Sequence, residues 1–194
     1  MGTSTVHERD ERMGLAPENA TIRGLVFNAI FTLVGRHRGE AAAVELRTRI
    51  AKKPLVDFFS YPARDFLVVL YGAAEQLKPE YGSHEEALRA CGAEVIHGFF
   101  QSSVGRTLTS LIGQKDPKRL FSSTPTAYAT AVNYGRREYA ALGERRVMLH
   151  FRGDMQPVEF HQGMLLAALR VVGYEGRVTP RKLGLDEAEY VIEW

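Results

Sequence analysis

A chain of 194 residues with net charge +2, 45% hydrophobic and 25% charged, is long enough for one domain with a sizeable core and too nearly neutral to point to nucleic acid or an acidic membrane surface. Its one cysteine, Cys91, leaves no internal disulfide and no C-x-x-C zinc pattern, which suits a reducing cytosol. No run approaches the roughly 20 apolar residues of a membrane span, and the polar opening MGTSTVHERDERMG lacks the apolar centre of a signal peptide, so a cytoplasmic location is expected.

Residues 1–20 read as a mobile tail ahead of a single domain over 21–194. After Thr21, GLVFNAIFTLVG is apolar on nearly every side, which predicts a buried helix, with a short buried strand as the competing reading. Gly35 and Gly39 bracket a loop, and Glu40 to Ile50 follows as a helix. KKPLVDFFSYP is irregular, pinned by Pro54 and Pro62, and its Phe58, Phe59 and Tyr61 are expected to plug into the core. Pro62 favours a first helical turn, and Phe66, Val69, Leu70, Ala73 and Leu77 mark one face of a helix that ends before Pro79. Ser83 with Glu86 three residues later is a capping-box pattern. The helix it opens carries Ala87, Leu88 and Cys91, breaks or bends at Gly92, and continues with Val95, Ile96, Phe99 and Phe100 inward.

Val104, Leu108, Leu111 and Ile112 extend that apolar pattern to Gly113, and QKDPKR is an exposed connection. STPTAYATAVNYGRREYAAL predicts a short helical turn, then a strand that pairs through Gly143-Glu144 with Val147 to Arg152. In that second strand Val147, Leu149 and Phe151 alternate with Met148, His150 and Arg152. Gly153-Asp154 and Pro157 interrupt the run, and from Glu159 the period becomes helical, with Phe160, Met164, Ala167, Ala168 and Val171 flanked by Leu165, Leu169 and Val172. Gly163, inside this stripe, is expected where helix backbone closely approaches the sheet. Gly176 to Lys182 and Ala188 to Trp194 read as two further strands. Helices first, then a mostly antiparallel sheet of about four strands crossed by one long helix, is an α+β arrangement.

The segments GLVFNAIFTLVG, GFFQSSVGRTL and LHF…GMLLAAL…YVIEW together resemble a myxobacterial paralogous family of unknown function, over nearly all of the chain after the tail. The same layout resembles the haem nitric-oxide-binding (HNOX) domains, the vinyl-reductase-type ligand-binding domains and the related vesicle-tethering subunits. The resemblance implies N-terminal helices and an antiparallel sheet with a helix packed across it. It also implies association through helices, hence a homodimer. For a haem protein of this type it implies a proximal His on a helix before the sheet and a Tyr-x-Ser-x-Arg motif near the exit of the Val147–Phe151 strand. Here LIGQKDPKRLFSS contains no His, and the strand exit reads Phe151-Arg152-Gly153-Asp154-Met155, without the Tyr or the Ser. No haem or other cofactor is therefore expected.

Among residues that carry chemistry, His150 and His161 flank the turn and could approach each other around a metal. The strand period instead puts His150 on the polar face, the helix places His161 on its solvent side, and no Asp, Glu or Cys stands at clear ligand spacing, so no metal site is expected. There is no G-x-x-x-x-G-K-[ST] cradle and no G-x-S-x-G elbow. Cys91, between Ala90 and Gly92, reads as a small buried hydrophobe. Glu138, Glu144 and Asp154 are separated by turns and read as solvated. Arg136, Arg137, Arg145, Arg146 and Arg152 give the hairpin an excess of positive charge, either a face for an acidic partner or an edge protected against aggregation.

The expectation is a non-catalytic regulatory module, a small-molecule sensor or protein-interaction domain of HNOX-like type without haem. Its pocket would lie between the N-terminal helices and the sheet, lined by Phe27, Phe31, Phe99 and Phe100. Ligand-binding candidates are His97, Arg106, Asn133 and Tyr134 at the rim, with Arg106 and Arg152 as anchors for an anionic ligand. The partner is a small apolar or anionic ligand, or a protein. The alternatives are an enzyme using His97 or the His150/His161 pair, and a haem-binding gas sensor with atypical ligation.

Overall fold

The helical periods of the first two thirds and the period-two runs of the last third separate into distinct layers in the computed structural model, which describes residues 2–102 and 116–194. The helical layer comprises α1 (Gly2–Leu15), α2 (Gly24–Arg38), α3 (Glu40–Thr48), α4 (Ala63–Tyr81) and α5 (His84–Gln101). Two three-residue strands, β1 (Thr21–Arg23) and β2 (Ser60–Pro62), pair antiparallel at its edge. The nearly all-apolar α2 is a core helix: Phe27, Ile30 and Val34 are fully buried, and Phe27 meets Phe66 of α4 edge-on at 5.2 Å. Ser83 caps the helix as expected, its hydroxyl accepting from the Glu86 amide at 3.1 Å, while the Glu86 carboxylate pairs with Arg89.

Two short helices, α6 (Pro117–Ser122) and α7 (Thr124–Ala131), lead into the sheet. Strands β3 (Arg136–Gly143), β4 (Arg146–Arg152), β5 (Arg177–Lys182) and β6 (Glu187–Glu193) stand in the order β3-β4-β6-β5, all antiparallel. Pro180 sits on the edge strand β5, where a missing N–H is tolerated. Helix α8 (Val158–Val171) joins β4 to β5 and lies across the sheet. Val147, Leu149 and Phe151 of β4 and Ala188, Tyr190 and Ile192 of β6 face it. Their alternates, His150 and Glu187 among them, form the outer face, where His150 Nε2 lies 2.8 Å from Glu187 Oε1. The α+β arrangement is the one the sequence predicts, and His150 is on its polar face.

Five local expectations are corrected. Residues 2–15, read as tail, form α1, and Arg12 is buried. Its guanidinium donates to the carbonyls of Met155 (3.3 Å), Gln156 (3.3 Å) and Leu185, and to Glu8 (2.6 Å), which ties α1 to the β4–α8 and β5–β6 loops. Phe58 and Phe59 are exposed, and only Tyr61 of that aromatic run packs inward, against Phe27. α4 continues through Pro79 to Tyr81, because a proline in the last turn removes only one hydrogen bond near a frayed end. α5 runs unbroken through Gly92. Gly163 serves close approach to a helix, not to the sheet: a β-carbon built there would fall on the Arg89 carbonyl of α5, and one on Gly92 would fall on the Phe160 carbonyl of α8. The two glycines face each other's helix and let α5 and α8 pack backbone to backbone.

Candidate functional site: an apolar cavity backed by a buried polar network

Between the helical core and the sheet core lies a cavity of about 140 Å³. Among the described residues its wall comes from α2 (Val26), α4 (Phe66), α5 (Val95, Ile96, Phe99, Phe100), α6 and α7 (Phe121, Tyr128), and α8 (Phe160, Met164, Leu165). The wall carries no charged side chain among the described residues, and its polar groups are the hydroxyls of Ser123, Thr124, Tyr128, Thr130 and Tyr134 and the Gln156 amide. The Ser123 and Thr130 hydroxyls are spent on the carbonyls of Leu120 and Ala127, both at 2.7 Å. A space of this size has room for a benzene-sized molecule.

Behind the wall sits a polar cluster that the sequence does not announce. Asp154, read as solvated, is buried, and so is His161, read as solvent-facing. His161 Nε2 comes within 3.1 Å of Asp154 Oδ1. His161 Nδ1 lies 3.0 Å from the Tyr128 hydroxyl. Arg137, read as part of a solvated hairpin, points inward from β3, pairs with Asp154 Oδ2, and stacks its guanidinium 4.8 Å from the centre of the Tyr128 ring. The Gln156 amide N–H donates to Asp154 Oδ1 at 3.2 Å, and its side-chain amide donates to the Tyr134 hydroxyl. Burial works to raise the Asp154 carboxyl, but His161 and Arg137 beside it, with the bonds from His161 and Gln156, prevail and hold it well below the usual carboxylate range. Burial drives the Tyr128 and Tyr134 hydroxyls above the ordinary phenol value, so both stay neutral. Beside Asp154 and His161 there is a space of about 10 Å³, room for about one water.

The candidate residues fall in different parts of the fold. Tyr134 lines the cavity. His97 is exposed on α5 and is not on the described wall. Asn133 is also exposed and is used structurally: its side chain accepts from the Thr21 amide at 2.7 Å and donates to the Asn19 carbonyl at 2.9 Å, clamping the start of β1. Arg152 is on the outer face of the sheet, 3.1 Å from Glu187 and 3.8 Å from Glu138. Arg106 lies outside the described residues. Phe99 and Phe100 line the cavity, whereas Phe27 and Phe31 belong to the helical core. Cys91 is buried and its thiol is pushed up to about 12 by burial, as a structural cysteine should be.

A model of the family described as "Protein of unknown function (DUF2378)" matches residues 16–194. The chain belongs to the DUF2378 family. Nothing among curated proteins matches it significantly. Among solved structures this DUF2378 chain is similar to the Fe(II) unliganded H-NOX protein from K. algicida, at 14% identity over 89% of this chain and 96% of that one, with a TM-score of 0.64. It is similar to an H-NOX protein from S. oneidensis in the Fe(II)NO state, at 14% identity, 89% and 98% coverage, TM-score 0.69. It is also similar to the H-NOX domain from Shewanella oneidensis in the Fe(II)CO state, at 16% identity, 89% and 98% coverage, TM-score 0.68. These likenesses establish an H-NOX-like fold.

The described cavity residues of the DUF2378 chain are a poor fit to a haem. Haem iron takes its axial ligand from His, Cys, Met or Tyr. The described wall holds no His or Cys, and residues 103–115 contain none of the four. Tyr128, Tyr134 and Met164 do line the cavity, but Tyr134 is engaged with Gln156, and Tyr128 with both His161 and Met164. No cation on the described wall is available for propionates, since Arg137 is committed to Asp154. A volume of about 140 Å³ also falls short of the roughly 300–1,000 Å³ of pockets for drug-sized ligands, let alone a porphyrin.

Proposed function

We infer that this protein is a non-catalytic regulatory module, which senses a small, largely apolar molecule through the cavity and does so without haem. The observation that carries this reading is the wall itself: an apolar space between the two cores, uncharged among the described residues and of a size for one small guest. Its position supports a sensing role. Residues of α2, α4, α5, α7 and α8 all meet there, so a guest would change the packing between the helical layer and the sheet. The test is native mass spectrometry of protein expressed with added haem precursor. The expected result is apoprotein, or protein plus one small organic molecule. A stoichiometric haem adduct contradicts the haem-free reading.

An enzyme is the second reading, and one observation favours it: His161 is buried beside a carboxylate, as a general base would be. Against it, the adjoining space admits about one water, and the imidazole is separated from the cavity by the Tyr128 hydroxyl. That geometry suits orientation of Tyr128 better than proton abstraction from a substrate. The exposed Phe58 and Phe59, with Val56, offer a surface through which a sensing module could pass its signal to a protein partner.

A further inference from the structure

Tyr128 is where the polar network meets the apolar cavity, and its hydroxyl has an unbalanced set of partners. A tyrosine hydroxyl carries one donated proton and accepting lone pairs. One partner is His161 Nδ1 at 3.0 Å, and His161 is itself held by Asp154. The other is the Met164 thioether, which receives the hydroxyl proton at 3.4 Å. Thioether sulfur is a weak acceptor, and methionine is an unbranched, adaptable side chain. When His161 Nδ1–H donates to the hydroxyl, the Tyr128 proton is left facing a poor acceptor that can move aside. Both Tyr128 and Met164 line the cavity.

We propose that the cavity's ligand is a small uncharged molecule bearing one strong hydrogen-bond acceptor, such as a ketone oxygen, which takes the Tyr128 hydroxyl proton in place of the Met164 sulfur. The proposal rests on the cavity-binding reading above and adds the ligand's chemical class. Tyr128 supplies the single directional contact, and His161, Asp154 and Arg137 hold it in place: Arg137 stacks on the ring while His161 fixes the hydroxyl. The described wall bears no cation for a carboxylate and no carboxylate for an amine, so ionised ligands are disfavoured by the cost of burying an unpaired charge.

The probes are cyclohexanone and methylenecyclohexane, which differ in shape only by C=O against C=CH₂. Both are titrated into the full chain and into Tyr128→Phe by isothermal calorimetry. One net hydrogen bond is about 0.5–1.5 kcal/mol, so the variant should weaken cyclohexanone about two- to thirteenfold. Methylenecyclohexane should change by less than about twofold, because its contacts are all apolar. Infrared spectroscopy of cyclohexanone bound to the unaltered protein should show the carbonyl stretch below its value in hexane, and this readout stands even if the variant does not fold. Equal losses for the two probes, or a carbonyl stretch at the hexane value, overturn the proposal while leaving the cavity reading intact. If neither probe binds the unaltered protein, the cavity reading itself fails and the proposal falls with it.

Discussion

Asp154 is the residue on which the buried network turns. It takes the Arg137 guanidinium on one oxygen and lies beside His161 on the other. Replacing Asp154 by Asn should cost about 3–5 kcal/mol at neutral pH, because it strands a buried arginine. Its folded carboxyl titrates well below the usual range, while the unfolded chain takes up that proton near pH 4. The stabilisation is therefore complete above about pH 4 and is lost as the pH falls from there toward the folded value. Urea midpoints measured from pH 6 down to pH 2 should fall steeply in the natural protein and less steeply in Asp154→Asn; parallel curves would contradict the assignment. The members of this network were only partly legible. His161 stands at i, i+4, i+7 and i+11 with Leu165, Ala168 and Val172, a stripe that faces the sheet, and that spacing was a usable signal. Asp154 gave none: an acidic residue after a glycine reads as a turn residue, and only the distant Arg137 and His161 make its burial tolerable.

At the scale of elements, the pairing of α5 with α8 sets the geometry of the cavity, since both helices line it. Gly163→Ala would place a methyl group on the Arg89 carbonyl and push the helices apart. The overpacking cost of about 1–3 kcal/mol opposes a helix-propensity gain of about 1 kcal/mol. A net loss is expected because the obstacle is backbone and cannot rotate away. It should appear as a lower urea midpoint at unchanged slope, and a higher midpoint would contradict the close packing. The sequence marked Gly163 as a close approach but misjudged its partner, because periodicity names the buried face of a helix without saying which element covers it. The sheet was easier. The alternation in β4 and the turn residues between β3 and β4 fixed strand identity and pairing. Helix α1 was not legible: its sequence is polar almost throughout, and it is held by Arg12 reaching three carbonyls and by Met13 packed against the helical core.

At the scale of the molecule, the fold is H-NOX-like, while the described cavity wall carries neither a His nor a Cys and no charged side chain. A shared layer arrangement fixes where a pocket can form, and the side chains lining it decide what enters. In this chain the described side chains are mostly apolar, with Tyr128 and Tyr134 as phenol groups on the wall, and the proposed guest is one small neutral molecule. The measurement that tests this most directly is an NMR titration of the methyl-labelled protein with benzene. Saturable shifts confined to the methyl groups lining the cavity, Val26, Val95, Ile96, Met164 and Leu165 among them, at one benzene per chain, are predicted. Shifts that fail to saturate, or that scatter over the surface without these residues, would contradict it.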